Sequence, residues 1–220
     1  MIKYLIFDFD GVIVDSEILA AKAFNKILNE ININEYSPEL IASKYAGNKT
    51  IKVASELAKI HNIPDYNIIY NKVMRTVGSL YDKDLKEVER IRSFLEINDL
   101  ELFIGSNSGK QRIIKGLLKV GLSKYFNEKN IYSFEMVKNP KPSPDIYLKI
   151  IEDNKLNSKE VIVLEDSVLG VKSAIDANLK VIGVTAASHW TNRSPQILID
   201  AGSYQTINTY LDLIKILKKL

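Results

Sequence analysis

Four short apolar runs constrain the fold of this chain most: Tyr4-Leu5-Ile6-Phe7, Leu100-Glu101-Leu102-Phe103-Ile104, Val161-Ile162-Val163-Leu164 and Val181-Ile182-Gly183-Val184. Each is rich in β-prone residues and short for a helix, so each reads as a strand, with Ile131-Tyr132-Ser133-Phe134 as a further candidate. Helical patterns separate them, and strands alternating with helices predict an α/β fold built on a doubly wound parallel sheet. Ligands bind outside the carboxyl ends of the strands in such sheets. The polar clusters fall at those ends: Asp8 and Asp10 after the first run, Gly105-Ser106-Asn107-Ser108-Gly109 after the second, Glu165-Asp166 after the third.

Between the first strand and the second, the pattern is helical throughout. Ser16 is placed to cap a helix carrying Ile18, Leu19, Phe24, Ile27 and Leu28. Ser37-Pro38 opens a second helix that Gly47 closes, Thr50 caps a third, and Pro64-Asp65 begins a fourth through Ile69 and Val73. Residues 15–80 therefore read as an all-helical insert in an α/β core made of residues 1–14 and 81–220. Further along, Gly121 suits the end of a helix, Ser143 and Pro144 the start of one, and another runs from Ser167. The tail from Ser203 reads as a surface strand or turn and a closing helix.

Asp8 and Asp10 alternate along an extended segment, which puts both carboxylates on one side, and Gly11 permits a turn over a ligand. Like charges so close raise each other's pKa unless a cation neutralises them, and an all-oxygen site suits a hard ion such as Mg²⁺. The plainer reading is that the pair ends a strand and caps a turn. Glu165 and Asp166 at another strand end supply further carboxylates for one Mg²⁺. Ser106 and the N–H groups after it, at a helix N-terminus, favour an anion. Lys141, inside Lys138-Asn139-Pro140-Lys141-Pro142-Ser143-Pro144-Asp145, is held by its prolines and adds a positive charge. Together these describe a phosphate pocket facing a carboxylate, an arrangement for nucleophilic phosphoryl transfer through an aspartyl-phosphate. One Asp attacks; the other protonates the leaving oxygen and then activates water, help worth about 10²- to 10⁴-fold.

Other classes find little support. With no cysteine there are no disulfides or thiolate metal sites, which suits a cytoplasmic location. No apolar stretch spans a bilayer, no secretory leader pattern opens the chain, and a net charge of +3 spread along the sequence does not indicate nucleic acid. Lys215, Lys218 and Lys219 complement the dipole at the end of the last helix. The expected partner is a small phosphorylated metabolite, with the chain a monomer or weak dimer. Gly105 to Lys110 is not a nucleotide P-loop, because its glycines stand one residue too close and Gln111 replaces the Ser or Thr. Lys110 and Lys138 read as surface residues, and His61, His189 and Trp190 as structural.

Asp8-Phe9-Asp10-Gly11-Val12, Ser106, Lys141-Pro142-Ser143-Pro144-Asp145 and Glu165-Asp166-Ser167-Val168-Leu169-Gly170 resemble, in order, the four motifs of the haloacid dehalogenase superfamily. The match is to its β-phosphoglucomutase-like phosphatase branch, over residues 2–184. The resemblance implies a nucleophilic Asp8, a general acid/base Asp10, and Ser106, Asn107 and Lys141 on the phosphoryl group. It also implies Mg²⁺ on Asp8, the Asp10 carbonyl and Asp166, with Glu165 nearby. The helical insert becomes the cap that closes over the substrate, and Ala46-Gly47-Asn48-Lys49-Thr50 its specificity loop, so that Gly47, Asn48 and Lys49 contact substrate. True β-phosphoglucomutases carry histidine in place of Ala20 and arginine in place of Lys49-Thr50. The implied activity is Mg-dependent hydrolysis of a small sugar phosphate. A phosphomutase, a phospho-accepting switch resembling receiver domains, and a protein that has kept the fold without the chemistry are the alternatives.

Overall fold

A computed structural model describes residues 1–45 and 47–219; Ala46, in the expected specificity loop, and Leu220 lie outside the described residues. Six strands form one sheet: β1 (Tyr4–Phe7), β2 (Glu101–Ser106), β3 (Ile131–Ser133), β4 (Val161–Glu165), β5 (Lys180–Val184) and β6 (Gln205–Ile207). Their order is β3-β2-β1-β4-β5-β6 and every pairing is parallel, the doubly wound arrangement expected from the alternation of strands and helices. Leu5, Ile6 and Phe7 of the central strand are fully buried, as are Ile162, Val163 and Leu164 of its neighbour. This is why the runs are continuously apolar instead of alternating. The tail supplies a sixth strand at the sheet edge, where the Thr185 N–H donates to the Ile207 carbonyl at 2.8 Å.

Ten helices complete the described chain: α1 (Glu17–Glu30), α2 (Pro38–Tyr45), α3 (Thr50–Ile60), α4 (Asn67–Asp84), α5 (Ile91–Ile97), α6 (Lys110–Lys119), α7 (Asp145–Asp153), α8 (Val168–Asp176), α9 (Gln196–Asp200) and α10 (Tyr210–Leu217). Three expected helix starts differ in detail. Ser16 stands at the N-cap of α1 with φ −95° and ψ −24°, outside the extended geometry that turns a capping oxygen back to the helix, and makes no cap bond. Lys49, not Thr50, precedes α3, and α7 begins at Asp145 with Pro144 before it, the Ser143 hydroxyl donating to the Asp145 carboxylate.

The chain divides into two compact units: Met1–Val14, Glu87–Ala187 and Ser194 onward in one, Asp15–Lys86 and Ser188–Arg193 in the other. In the first, the Tyr210 hydroxyl donates to the Val12 carbonyl at 2.7 Å, tying α10 to the turn after β1. The second is helical and packs α1 against α2 and α4 around Phe24, Ile27, Leu28, Leu57, Ile69 and Val73. It does not end at residue 80, because α4 continues to Asp84. It also takes in Ser188–Arg193, whose Ser188 donates from both N–H and hydroxyl to Asp15. Two residues 173 positions apart leave no sequence signal of that contact.

His61, within the helical unit, pairs through Nε2 with the Tyr36 hydroxyl at 2.9 Å. His189 is buried in the same unit at 2% exposure, and burial pushes its pKa down to about 4 against the upward pull of Glu17 and Asp15. A histidine lowered on folding stays neutral while the unfolded chain takes up a proton. Its contribution is intact above about pH 6.5 and is lost as pH falls toward 4, a loss of up to about 3 kcal/mol. Urea unfolding of the parent and His189→Gln at pH 7, 5.5 and 4.5 is expected to show the difference between them shrinking steadily with acidity. A constant difference would mean that His189 does not titrate in this window.

Candidate active site at the carboxyl rim of the sheet

The site follows from register. Phe7 of β1 pairs with Ile104 on one side and Leu164 on the other, and the Asp8 N–H continues the ladder to the Leu164 carbonyl at 2.9 Å. Asp8 therefore leaves the sheet level with Gly105 and Glu165, with Ser106 and Asp166 one residue beyond. Lys141 reaches this point from the loop before α7, where the Lys141–Pro142 peptide is cis. Its Nζ donates to Asp8 Oδ1 at 2.8 Å and to Glu165 Oε1 at 2.5 Å, and lies 4.8 Å from the centre of the Tyr147 ring. Tyr147 donates its hydroxyl to the same Glu165 oxygen at 2.6 Å. All four side chains are buried.

Burial, first of all, pushes Asp8 up to about 7; Lys141 pulls it down and Glu165 pushes it further up. Burial and the Asp8 charge carry Asp166 well above the usual carboxylate range. Burial works against the charge on Lys141, but Asp8 and Glu165 hold its ammonium above the ordinary lysine value. Burial and Glu165 raise Tyr147 well above its ordinary value, so it serves as a donor. One ammonium thus faces three carboxylates. Asp8, Glu165 and Asp166 each bring a ligand oxygen within 4.8 Å of the others. A hard divalent cation suits such a set, since it supplies the missing charge and prefers carboxylate oxygen.

The Asp10 carboxylate does not join that group. The turn at Gly11, with φ +79°, carries it toward α6, where Arg112 Nη2 donates to Oδ1 at 3.0 Å and the Ser108 hydroxyl donates to Oδ2. Here Lys141 faces the Asp8 carboxylate and Arg112 the Asp10 carboxylate. Asn107, expected on the phosphoryl group, has its side chain engaged within the protein. Its side-chain amide clasps the Lys141 backbone, accepting from the N–H at 2.9 Å and donating to the carbonyl at 3.1 Å. Nor does Ser106 open a helix: α6 begins at Lys110, whose N–H donates to Glu135 Oε2 at 2.9 Å, so a protein carboxylate already holds that helix end. Ser106 is buried and its Oγ accepts from the Ser108 N–H at 3.2 Å.

Just beyond Glu165 and Asp166, Ser167 caps α8, its Oγ accepting from the Gly170 N–H at 3.0 Å. Gly170 matters for its missing side chain. A Cβ there would overlap the carboxylate carbon and both oxygens of Glu165. Glu165 is fully buried, with Lys141 and Tyr147 on one oxygen and the Ser167 hydroxyl 3.3 Å from the other, so it has no ready escape. Gly170→Ala is therefore expected to cost about 1–3 kcal/mol by overpacking and to lower turnover by displacing Lys141. Urea unfolding with a turnover assay checks this; an unchanged midpoint with full activity would show that Glu165 moves aside freely.

Sequence reading missed Tyr147, Ser108, Arg112 and the role of Gly170. Tyr147 shares its helix face with Ile146 and Ile150, so nothing in its spacing separates a site residue from core. In the helical unit, Gly47, Asn48 and Lys49 are exposed. The Gly47 N–H donates to Glu17 Oε2 at 3.1 Å and the Asn48 amide to the Tyr45 carbonyl at 3.2 Å, so both are partly engaged in shaping their own loop. A groove of about 500 Å³ lies at the opposite, amino end of β1 and β2, beside Met1, Ile2, Phe94 and Leu100. Its lining is largely apolar and holds none of these groups, so cavity size does not locate the chemistry.

The family described as haloacid dehalogenase-like hydrolase matches residues 5–184. The 6-phosphogluconate phosphatase of Escherichia coli is 25% identical over 189 residues, covering 86% of this chain and 85% of its own. The phosphorylated carbohydrates phosphatase of Thermotoga maritima is 25% identical over 222 residues, covering 98% of both. Among solved structures, a conserved haloacid dehalogenase-like protein of unknown function from Agrobacterium tumefaciens superposes with a TM-score of 0.91 at 31% identity, over 100% of this chain and 99% of that one.

Proposed function

This chain belongs to the haloacid dehalogenase-like hydrolase family and is a phosphoric monoester hydrolase, and we propose that it cleaves a small phosphorylated carbohydrate through an aspartyl-phosphate on Asp8. The observation that carries this reading is the separation of two neighbouring carboxylates into different environments: Asp8 buried against Lys141, Asp10 at the rim between Ser108 and Arg112. Nucleophile and acid/base need such a division of roles.

An Asp8 carboxylate oxygen attacks phosphorus, forming the acyl phosphate as the bond to the sugar oxygen breaks and Asp10 gives that oxygen a proton. Water then attacks the phosphorus, Asp10 takes its proton, and inorganic phosphate leaves with Asp8 restored. Lys141 and Ser106 hold the phosphoryl oxygens, Lys141 itself being aimed by Glu165, Tyr147 and Asn107. Asp8, Asp166 and the Asp10 main-chain carbonyl, with Glu165 beside them, are the groups assigned to Mg²⁺, which when bound supplies positive charge against the phosphate. Gly47, Asn48 and Lys49 are assigned to selection among sugars, and the helical unit to the cap role.

The test is phosphate release by the purified chain, with and without Mg²⁺, from sugar phosphates, 6-phosphogluconate, phosphoglycolate, nucleotides and flavin mononucleotide. Release that needs Mg²⁺ and ranks a carbohydrate ester first is the expected result. Conversion of β-glucose 1-phosphate to the 6-phosphate without release would replace this reading with a mutase, and silence in both assays would overturn it.

A further inference from the structure

The ion pair between Arg112 and Asp10 has no part in the chemistry so far. Arg112 projects from the first turn of α6, one residue before the fully buried Ile113, so its backbone is set by the core. Its guanidinium meets a carboxylate 102 residues away, and Ser108, two residues before α6, takes the other oxygen of that carboxylate. Both Asp10 oxygens are thus engaged from one segment. The side chains remain 39% and 20% exposed, at the rim where a substrate arrives. A partly exposed ion pair of this kind contributes little to folding. Fixing the orientation of a group that must meet a leaving oxygen has greater value, since proton transfer requires hydrogen-bond reach.

We propose that Arg112, assisted by Ser108, is a positioning residue that holds the Asp10 carboxyl in the orientation from which it serves the leaving oxygen, and that it acts through Asp10 and not by touching substrate. The inference rests on the acid/base assignment of Asp10 above. Its signature is dependence on the leaving group. A sugar alkoxide needs a proton as it departs, whereas p-nitrophenolate leaves without one, so loss of Asp10 positioning slows the first departure far more than the second. Hydrolysis of the acyl phosphate, where Asp10 also serves, is common to both substrates and does not enter kcat/KM.

The experiment compares the parent, Arg112→Ala, Arg112→Lys, Asp10→Asn and the double variant Asp10→Asn/Arg112→Ala, each with the best sugar phosphate and with p-nitrophenyl phosphate. Thermal melting checks that every variant is folded. Arg112→Ala is expected to lower kcat/KM on the sugar phosphate about 10- to 100-fold, below the full worth of an acid/base because Ser108 remains. On p-nitrophenyl phosphate kcat/KM should fall less than about threefold. Arg112→Lys should recover part of the loss, and Arg112→Ala should cost nothing further in the Asp10→Asn background. Equal loss of kcat/KM on both substrates, or a loss that persists in the Asp10→Asn background, would overturn the inference by making Arg112 structural or a direct substrate contact. An Asp10→Asn variant that hydrolyses the sugar phosphate normally would instead remove the acid/base assignment, and this inference with it.

Discussion

Asp8→Asn is expected to abolish phosphate release, by more than about 10⁴-fold in kcat, because the amide cannot form the acyl phosphate and groups acting as a unit fail together. The protein should remain folded. Lys141 keeps its 2.5 Å contact with Glu165 and its place over Tyr147. The metal-free variant should also be more stable than the parent at pH 8. The Asp8 pKa is raised from 3.8 to about 7, chiefly by burial, so the fold favours its neutral form. A raised carboxyl contributes stability below its unfolded value that is lost as pH rises through the folded one. Asparagine escapes that loss, so its advantage is present at pH 8 and absent near pH 4. Urea midpoints at the two pH values, beside the phosphate assay, test both halves. Activity within about 100-fold of the parent would remove Asp8 as nucleophile, and a variant destabilised at pH 8 would refute the account of its burial.

Lys141→Met is expected to damage both the fold and the chemistry. It removes the ammonium from between Asp8 and a Glu165 that has no exposure, and uncompensating a buried charge typically costs about 3–5 kcal/mol. For a chain of this length that corresponds to a fall in Tm of roughly 10 °C. Turnover measured well below the new Tm should still fall at least about 10³-fold, since the phosphoryl oxygens lose a preorganised cation. With one positive charge gone from the three carboxylates, Mg²⁺ should raise the Tm of the variant by more than it raises the parent's. Melting curves with and without Mg²⁺ decide this. A variant that melts within about 2 °C of the parent would make Lys141 an ordinary loop lysine.

Much of this site could be read in the sequence because parallel topology gathers strand ends. Once Tyr4–Phe7, Glu101–Ser106 and Val161–Glu165 are adjacent strands in one direction, Asp8, Ser106, Glu165 and Asp166 share a rim. Lys141 was legible through its prolines. What could not be read was the partner of each polar group. Asn107 looks like a ligand residue in its Ser-Asn-Ser loop, yet its amide is used 34 residues away on the Lys141 backbone. Glu135 carries no mark in the sequence that it closes the end of α6, nor Ser188 that it joins Asp15 in the helical unit.

The sequence by itself determined the alternation of apolar strands and amphipathic helices, and with it the parallel sheet and the edge where chemistry collects. Those are local properties: burial on both faces demands continuous apolar runs, and helices demand their own period. Only the tertiary structure decided that Lys141 binds Asp8 and Glu165 together, that Tyr147 supports them from inside a helix, that Gly170 clears their space and that Arg112 takes Asp10. Hydrogen bonds and ion pairs act over a few ångströms, here between site residues as many as 133 positions apart, and which of several capable groups comes within reach is set by packing.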